Sequence, residues 1–149
     1  AELRFDVDIF VALPYAPGWE AAVELIEAAG LYGKIGTAGP SSTAEQLSIL
    51  VEADLPFKIT SRIDWDWPVT LRAIHALVDG ASRDDAAALM EDADHDQTAA
   101  AISSWDQPTQ SRIRRRLRRV GTDRVRQTID DLLGLGVPAA PGDRYPLDD

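Results

Sequence analysis

Leu3, Phe5, Val7, Ile9, Val11 and Leu13 occupy alternate positions near the start of the chain, with Arg4, Asp6 and Asp8 between them. An apolar residue at every second place over eleven residues fits a β-strand with one buried face, because successive side chains of a strand point to opposite sides. Phe10 breaks the polar face, and Pro14-Tyr15-Ala16-Pro17-Gly18 stops the segment. One strand cannot bury its face alone, so a sheet and a covering layer must come from later in the chain. Phe57, Ile59, Ser61, Ile63 and Trp65 repeat the pattern against Lys58, Thr60, Arg62 and Asp64. The two segments are expected to be neighbouring strands, and aspartate at Val7 is expected to be severely destabilising.

Between them the period changes to that of a helix. Trp19, Ala22, Val23, Ile26 and Ala29 form one stripe, and Gly30 is a natural stop. Leu31–Ile35 reads as a short strand and Thr37–Ser42 as a loop. Ser42 with Glu45, or Thr43 with Gln46, fits a capping box for a helix to about Asp54 that carries Leu47, Leu50 and Val51 inward. After Trp65 only helices are expected. One opens at Pro68 behind an Asp66 cap and stops at Gly80, and Ser82 with Asp85 caps the next, to Glu91. Further helices are expected over Gln97–Trp105 and Thr109–Arg119, and a last one from Thr122 to Leu133. The expected class is α+β: a small N-terminal β-α-(β)-α-β sheet unit over residues 1–65, about five short helices over 66–133, and an extended tail over 134–149.

The chain has 149 residues, of which 45% are hydrophobic and 27% charged, enough for a core. No apolar run approaches the ~18 residues of a membrane span, and no cationic stub precedes an apolar run at the start, so neither a membrane partner nor a signal peptide is expected. A cytoplasmic location is the corresponding expectation. The absence of cysteine excludes disulfides and thiolate chemistry. The net charge is −10, yet residues 112–126 hold eight arginines against one aspartate, while the rest of the chain carries −17. Such an asymmetry is a statement about partners.

The arginines follow a particular arrangement. A short helix with Ala100, Ala101 and Ile102 ends at Trp105, and Asp106-Gln107-Pro108 turns the chain. The next helix carries Ile113, Leu117 and Val120 on one stripe and arginines elsewhere. Trp105 is expected to pack on Ile102, Ile113 and Leu117. Through Thr98–Trp105 and Thr109–Arg119 this segment resembles the helix-turn-helix DNA-binding family, over residues 97–120 only. The resemblance implies that Thr109, Gln110, Ser111, Arg112 and Arg115 face a DNA groove and that Arg116, Arg118 and Arg119 lie nearer phosphates. It departs from the family in the turn, which holds Asp106 and Gln107, and in Ile113, which sits one place late.

Other candidates are weaker. Asp92, Asp94 and Asp96 begin like a calcium loop, but the sixth position is Gln97 and the twelfth Ser103, so an acidic turn that caps the next helix is expected and no metal. Asp64-Trp65-Asp66-Trp67 suits a strand end and a helix cap, or a small-molecule pocket. Gly33–Gly39 matches no phosphate-binding fingerprint. No catalytic residue or cofactor is expected, and the balance leans away from an enzyme. The expected function is a small DNA-binding regulatory protein, a possible homodimer. A protein-interaction or adaptor subunit that presents the basic helix 109–126 to an acidic partner, and a small-molecule-binding domain around Trp65–Trp67, remain the alternatives.

Overall fold

The computed structural model describes residues 7–36, 38–61, 67–92 and 94–122. Four strands form one sheet: β1 (Phe10–Ala12), β2 (Tyr32–Gly36), β3 (Phe57–Ser61) and β4 (Leu117–Thr122). They lie in the order β1-β2-β3-β4, and every pairing is parallel. Helix α1 (Trp19–Ala28) joins β1 to β2, and α2 (Pro40–Glu52) joins β2 to β3. Among the described residues, four helices in succession lie between β3 and β4: α3 (Trp67–Val78), α4 (Arg83–Glu91), α5 (His95–Ser103) and α6 (Gln107–Arg116). The chain is thus an α+β protein with a helical C-terminal half.

Parallel crossovers in a sheet are right-handed, so strands laid down in sequential order place every connection over the same face. Burial follows that rule. Ile35, Phe57 and Ile59 are fully buried and belong to one apolar core with Val23 and Ile26 of α1, Leu47 and Leu50 of α2, Ile74 of α3 and Ile113 of α6. Gly33 lies on the same side. A Cβ there would stand 3.3 Å from the Leu13 side chain and 3.4 Å from that of Leu50, so a larger residue would require both leucines to shift by a few tenths of an ångström. Gly30, at φ +66°, ends α1 in the left-handed conformation that suits glycine.

Several expectations from the sequence need correction. The first and third strands share a sheet but are not neighbours, because β2 lies between them. The first strand is short: β2 pairs only with Phe10–Ala12. Val11 and Leu13 do face the core, but Val7 and Ile9 are 65% and 55% exposed, so aspartate at Val7 carries no burial penalty. Helix α2 starts at Pro40, in the first turn where its missing N–H costs nothing. Thr43 and Gln46 are buried inside it rather than capping it, and the Gln46 amide donates to the Leu13 carbonyl at 3.0 Å. The segment after Arg116 is not helix but β4. The expected helix over 122–133, Trp65 with its flanking aspartates, and the tail lie outside the described residues.

Two later caps match the expectation, and a third, Asp106, emerges because α6 begins at Gln107 rather than at Thr109. Ser82 and Asp85 form a capping box on α4. Asp94 caps α5 by accepting from the Gln97 N–H, and Asp106 caps α6 by accepting from the Thr109 N–H, both at 2.9 Å. Hydrogen bonds from Ser82 hold the Asp85 carboxyl below its ordinary value of 3.8, and bonds from Thr109 do the same for Asp106. Because both folded values lie below the unfolded ones, the unfolded chain binds more protons between them, and stability rises with pH there. The contribution of the caps is therefore present above pH 3.8 and is lost as pH falls through the lowered folded values. Melting curves recorded from neutral to acid pH should show it. Asp85→Asn with Asp106→Asn should flatten the acid limb, and an unchanged limb would refute the assignment.

Candidate nucleic-acid interface

The segment expected to bind DNA contains two helices joined by a tight turn. Helix α5 ends at Ser103 and is capped by Ser104, whose hydroxyl donates to the Ala101 carbonyl at 2.6 Å. Trp105 and Asp106 complete the turn, and Pro108 sits in the first turn of α6. The Gln110 amide donates back to the Trp105 carbonyl at 3.1 Å, tying the turn to α6. Trp105 is half-buried against the core, but its ring partner is one the sequence did not suggest. It stacks on His75 of α3, with centroids 4.9 Å apart and planes at 26°.

The eight residues expected to touch DNA separate into groups. Gln110, Ser111 and Arg115 are exposed on α6. Thr109 is half-buried, and its N–H is taken by Asp106. Arg112 is held at 2.9 Å by Asp79, which also meets the His75 imidazole at 3.2 Å. Arg116 is held at 2.9 Å by Asp54; its side chain is only 18% exposed, and its Nε is buried without a partner. Arg118 and Arg119 are not on the helix at all but exposed in β4, where Arg119 meets Asp8 at 3.6 Å. The stripe Ile113, Leu117 and Val120 breaks for the same reason. Ile113 is buried, Leu117 is half-buried, and Val120 is 43% exposed on the edge strand.

One exposed arginine lies outside the expected set. Arg114 follows Gln110 by one helical turn and stands beside Arg115. Among the described residues, neither Arg114 nor Arg115 makes an ion pair, whereas Arg112, Arg116 and Arg119 do. The outward side of α6 is therefore Gln110, Ser111, Arg114 and Arg115. The signal for it is the 3.6-residue period counted from Gln110 rather than from the helix start.

Among the described residues, no group of three His, Asp or Glu side chains is placed to hold a metal ion. A shallow open cleft of about 230 Å³, lined by Tyr15, Trp19, Glu20 and Glu45 among others, is below the ~300–1,000 Å³ of small-molecule sites. Among the described residues, no helix is long and apolar enough to cross a membrane. Fold and surface together define an α+β protein with a helical C-terminal half and, among the described residues, a cationic strip on α6 of a chain whose net charge is −10. Comparison with protein-family models, with curated proteins and with solved structures returned no match.

Proposed function

We propose that this chain is a small DNA-binding regulatory protein that contacts duplex DNA through the outward side of α6. The observation that carries this reading is the pair Arg114–Arg115, exposed beside Gln110 and Ser111 and unmatched by any described carboxylate in a protein of charge −10. Arg112 and Arg116 play a different part. Their ion pairs with Asp79 and Asp54 seat the helix so that the other side faces out. The last turn of α6 also carries Arg114, Arg115 and Arg116, which suits the negative end of its dipole.

Binding of labelled duplex DNA, followed by fluorescence anisotropy across a salt series, tests the reading. Affinity should fall steeply with salt, because each neutralised phosphate releases counterion. Arg114→Gln with Arg115→Gln should reduce the salt slope by about two, roughly one for each phosphate no longer neutralised, without lowering Tm. Absence of duplex binding at low salt, or binding indifferent to the pair, would overturn the proposal.

A further inference from the structure

The described helices pack on the face that carries Ile35, Phe57 and Ile59, no described element packs on the opposite face, and its side chains form ordered rows. The pairing register sets Phe10 beside Tyr32 in one row. It sets Ala12, Lys34, Lys58 and Arg119 in the next, and Gly36, Thr60 and Gly121 in a third. A register shift after Phe57 makes Arg118 an extra residue of β4, and its guanidinium lies 5.9 Å from the centre of the Tyr32 ring. Both lysines of the chain are on this face.

The cationic row is unusual. Neighbouring strands are ~4.8 Å apart, and like charges directly opposite one another destabilise a sheet. Yet Lys34, Lys58 and Arg119 stand side by side on three strands. Arg119 has Asp8 at 3.6 Å; Lys34 and Lys58 meet no carboxylate among the described residues. Such a row calls for an anion. Two residues along each strand, ~7 Å away, the rings of Phe10 and Tyr32 lie half-exposed with centroids 5.3 Å apart. Anionic and aromatic recognition at that offset are the two halves of a nucleotide.

We infer that the uncovered sheet face binds a single strand of RNA, with phosphates along Lys34, Lys58 and Arg119 and bases stacked on Phe10 and Tyr32. The surface is separate from the outward side of α6, so the inference goes beyond the duplex reading and does not depend on it. Lys58 now lies 4.8 Å from the centre of the Phe10 ring and Arg118 over Tyr32. An exposed cation–π contact is worth a factor of roughly 2–5 in an equilibrium constant, and a base stacked on an aromatic side chain a factor of roughly 5–150. The base therefore displaces the cation, which turns to a phosphate. An acidic peptide would satisfy the lysines but leave the rings unused. A second copy of this chain would set cation against cation. RNA rather than DNA is the strand inferred because the register sets Thr60, two residues from Lys58 on the same face, between Gly36 and Gly121, and its hydroxyl can pair with a ribose 2′-hydroxyl, which both donates and accepts.

Anisotropy of labelled oligo-uridylate, oligo-thymidylate of equal length and a blunt duplex, with the full chain, tests the inference. Oligo-uridylate should bind more tightly than oligo-thymidylate, with an affinity that falls as salt rises. Tyr32→Ala should weaken it by a factor of ~5–150. Lys34→Gln with Lys58→Gln should weaken it and lower the salt slope while keeping or raising Tm, since a self-repelling pair is removed. Arg114→Gln with Arg115→Gln should leave oligo-uridylate binding unchanged, so loss of duplex binding alone would sink only the earlier proposal. No oligo-uridylate binding at low salt, equal binding of the two oligomers, or indifference to the lysine pair would overturn the inference. A homodimer dispersed by Tyr32→Ala would also overturn it, by showing that a second copy covers the face.

Discussion

Replacing Ile59 with aspartate is expected to abolish the cooperative melting transition. Ile59 is fully buried in β3, flanked in register by Ile35 of β2 and Val120 of β4. An uncompensated carboxylate there costs several kcal/mol, and the lost isoleucine burial adds roughly 1.5–3 kcal/mol. Together these rival the ~5–15 kcal/mol that holds a domain folded. Aspartate at Val7 is the control, because that side chain is 65% exposed. It should change stability by no more than about 0.5 kcal/mol. Circular dichroism melts of the two variants decide the matter. A cooperative transition near the wild-type Tm for Ile59→Asp would mean that β3 is not the centre of the sheet.

Trp105→Ala is expected to lower Tm by roughly 10 °C and to weaken duplex binding with it. The indole is half-buried, so its loss should cost about 3 kcal/mol, the low end of the range for a buried aromatic, and a domain of this length loses ~2–4 °C per kcal/mol. The ring stacks on His75, His75 meets Asp79, and Asp79 holds Arg112. The turn is thereby linked through α3 to α6, and without the indole the helix loses part of its seat. Trp105→Phe keeps a ring against His75 and should largely preserve both properties. Unchanged stability together with lost binding would mark Trp105 as a surface residue that touches the DNA and remove the platform from the duplex proposal.

How much of this was legible depends on the range of the interaction. Phe57 and Ile59 against Lys58 and Thr60 were readable, because alternation along a strand is local and β3 is paired on both sides. The Ser82–Asp85 box was readable because it closes within three residues, whereas the acidic turn offered both Asp94 and Asp96 as caps and the structure uses Asp94. The start of α2 was not, because two plausible capping boxes follow a proline that itself begins the helix. At the candidate interface, the resemblance located the helix but not its outward side. Arg112 and Arg116 are taken up by ion pairs because Asp79 and Asp54, 33 and 62 positions earlier in the chain, stand beside them. No spacing within the helix reveals that.

The sequence by itself determined the type and order of the described elements up to α6, the α+β class and the core residues of β3, since period, caps and breakers act over a few positions. Tertiary structure decided the strand order, the length of β1 and the fate of Leu117–Thr122. Arginine is a good helix former, and α6 would continue on propensity alone. The outer edge of β3 offers unpaired N–H and C=O groups that a helix cannot satisfy, so the chain leaves α6 at Leu117 and pairs there as β4. That exchange of local for long-range hydrogen bonds sets Arg119 beside Lys58 and Lys34, and with it the character of the uncovered face.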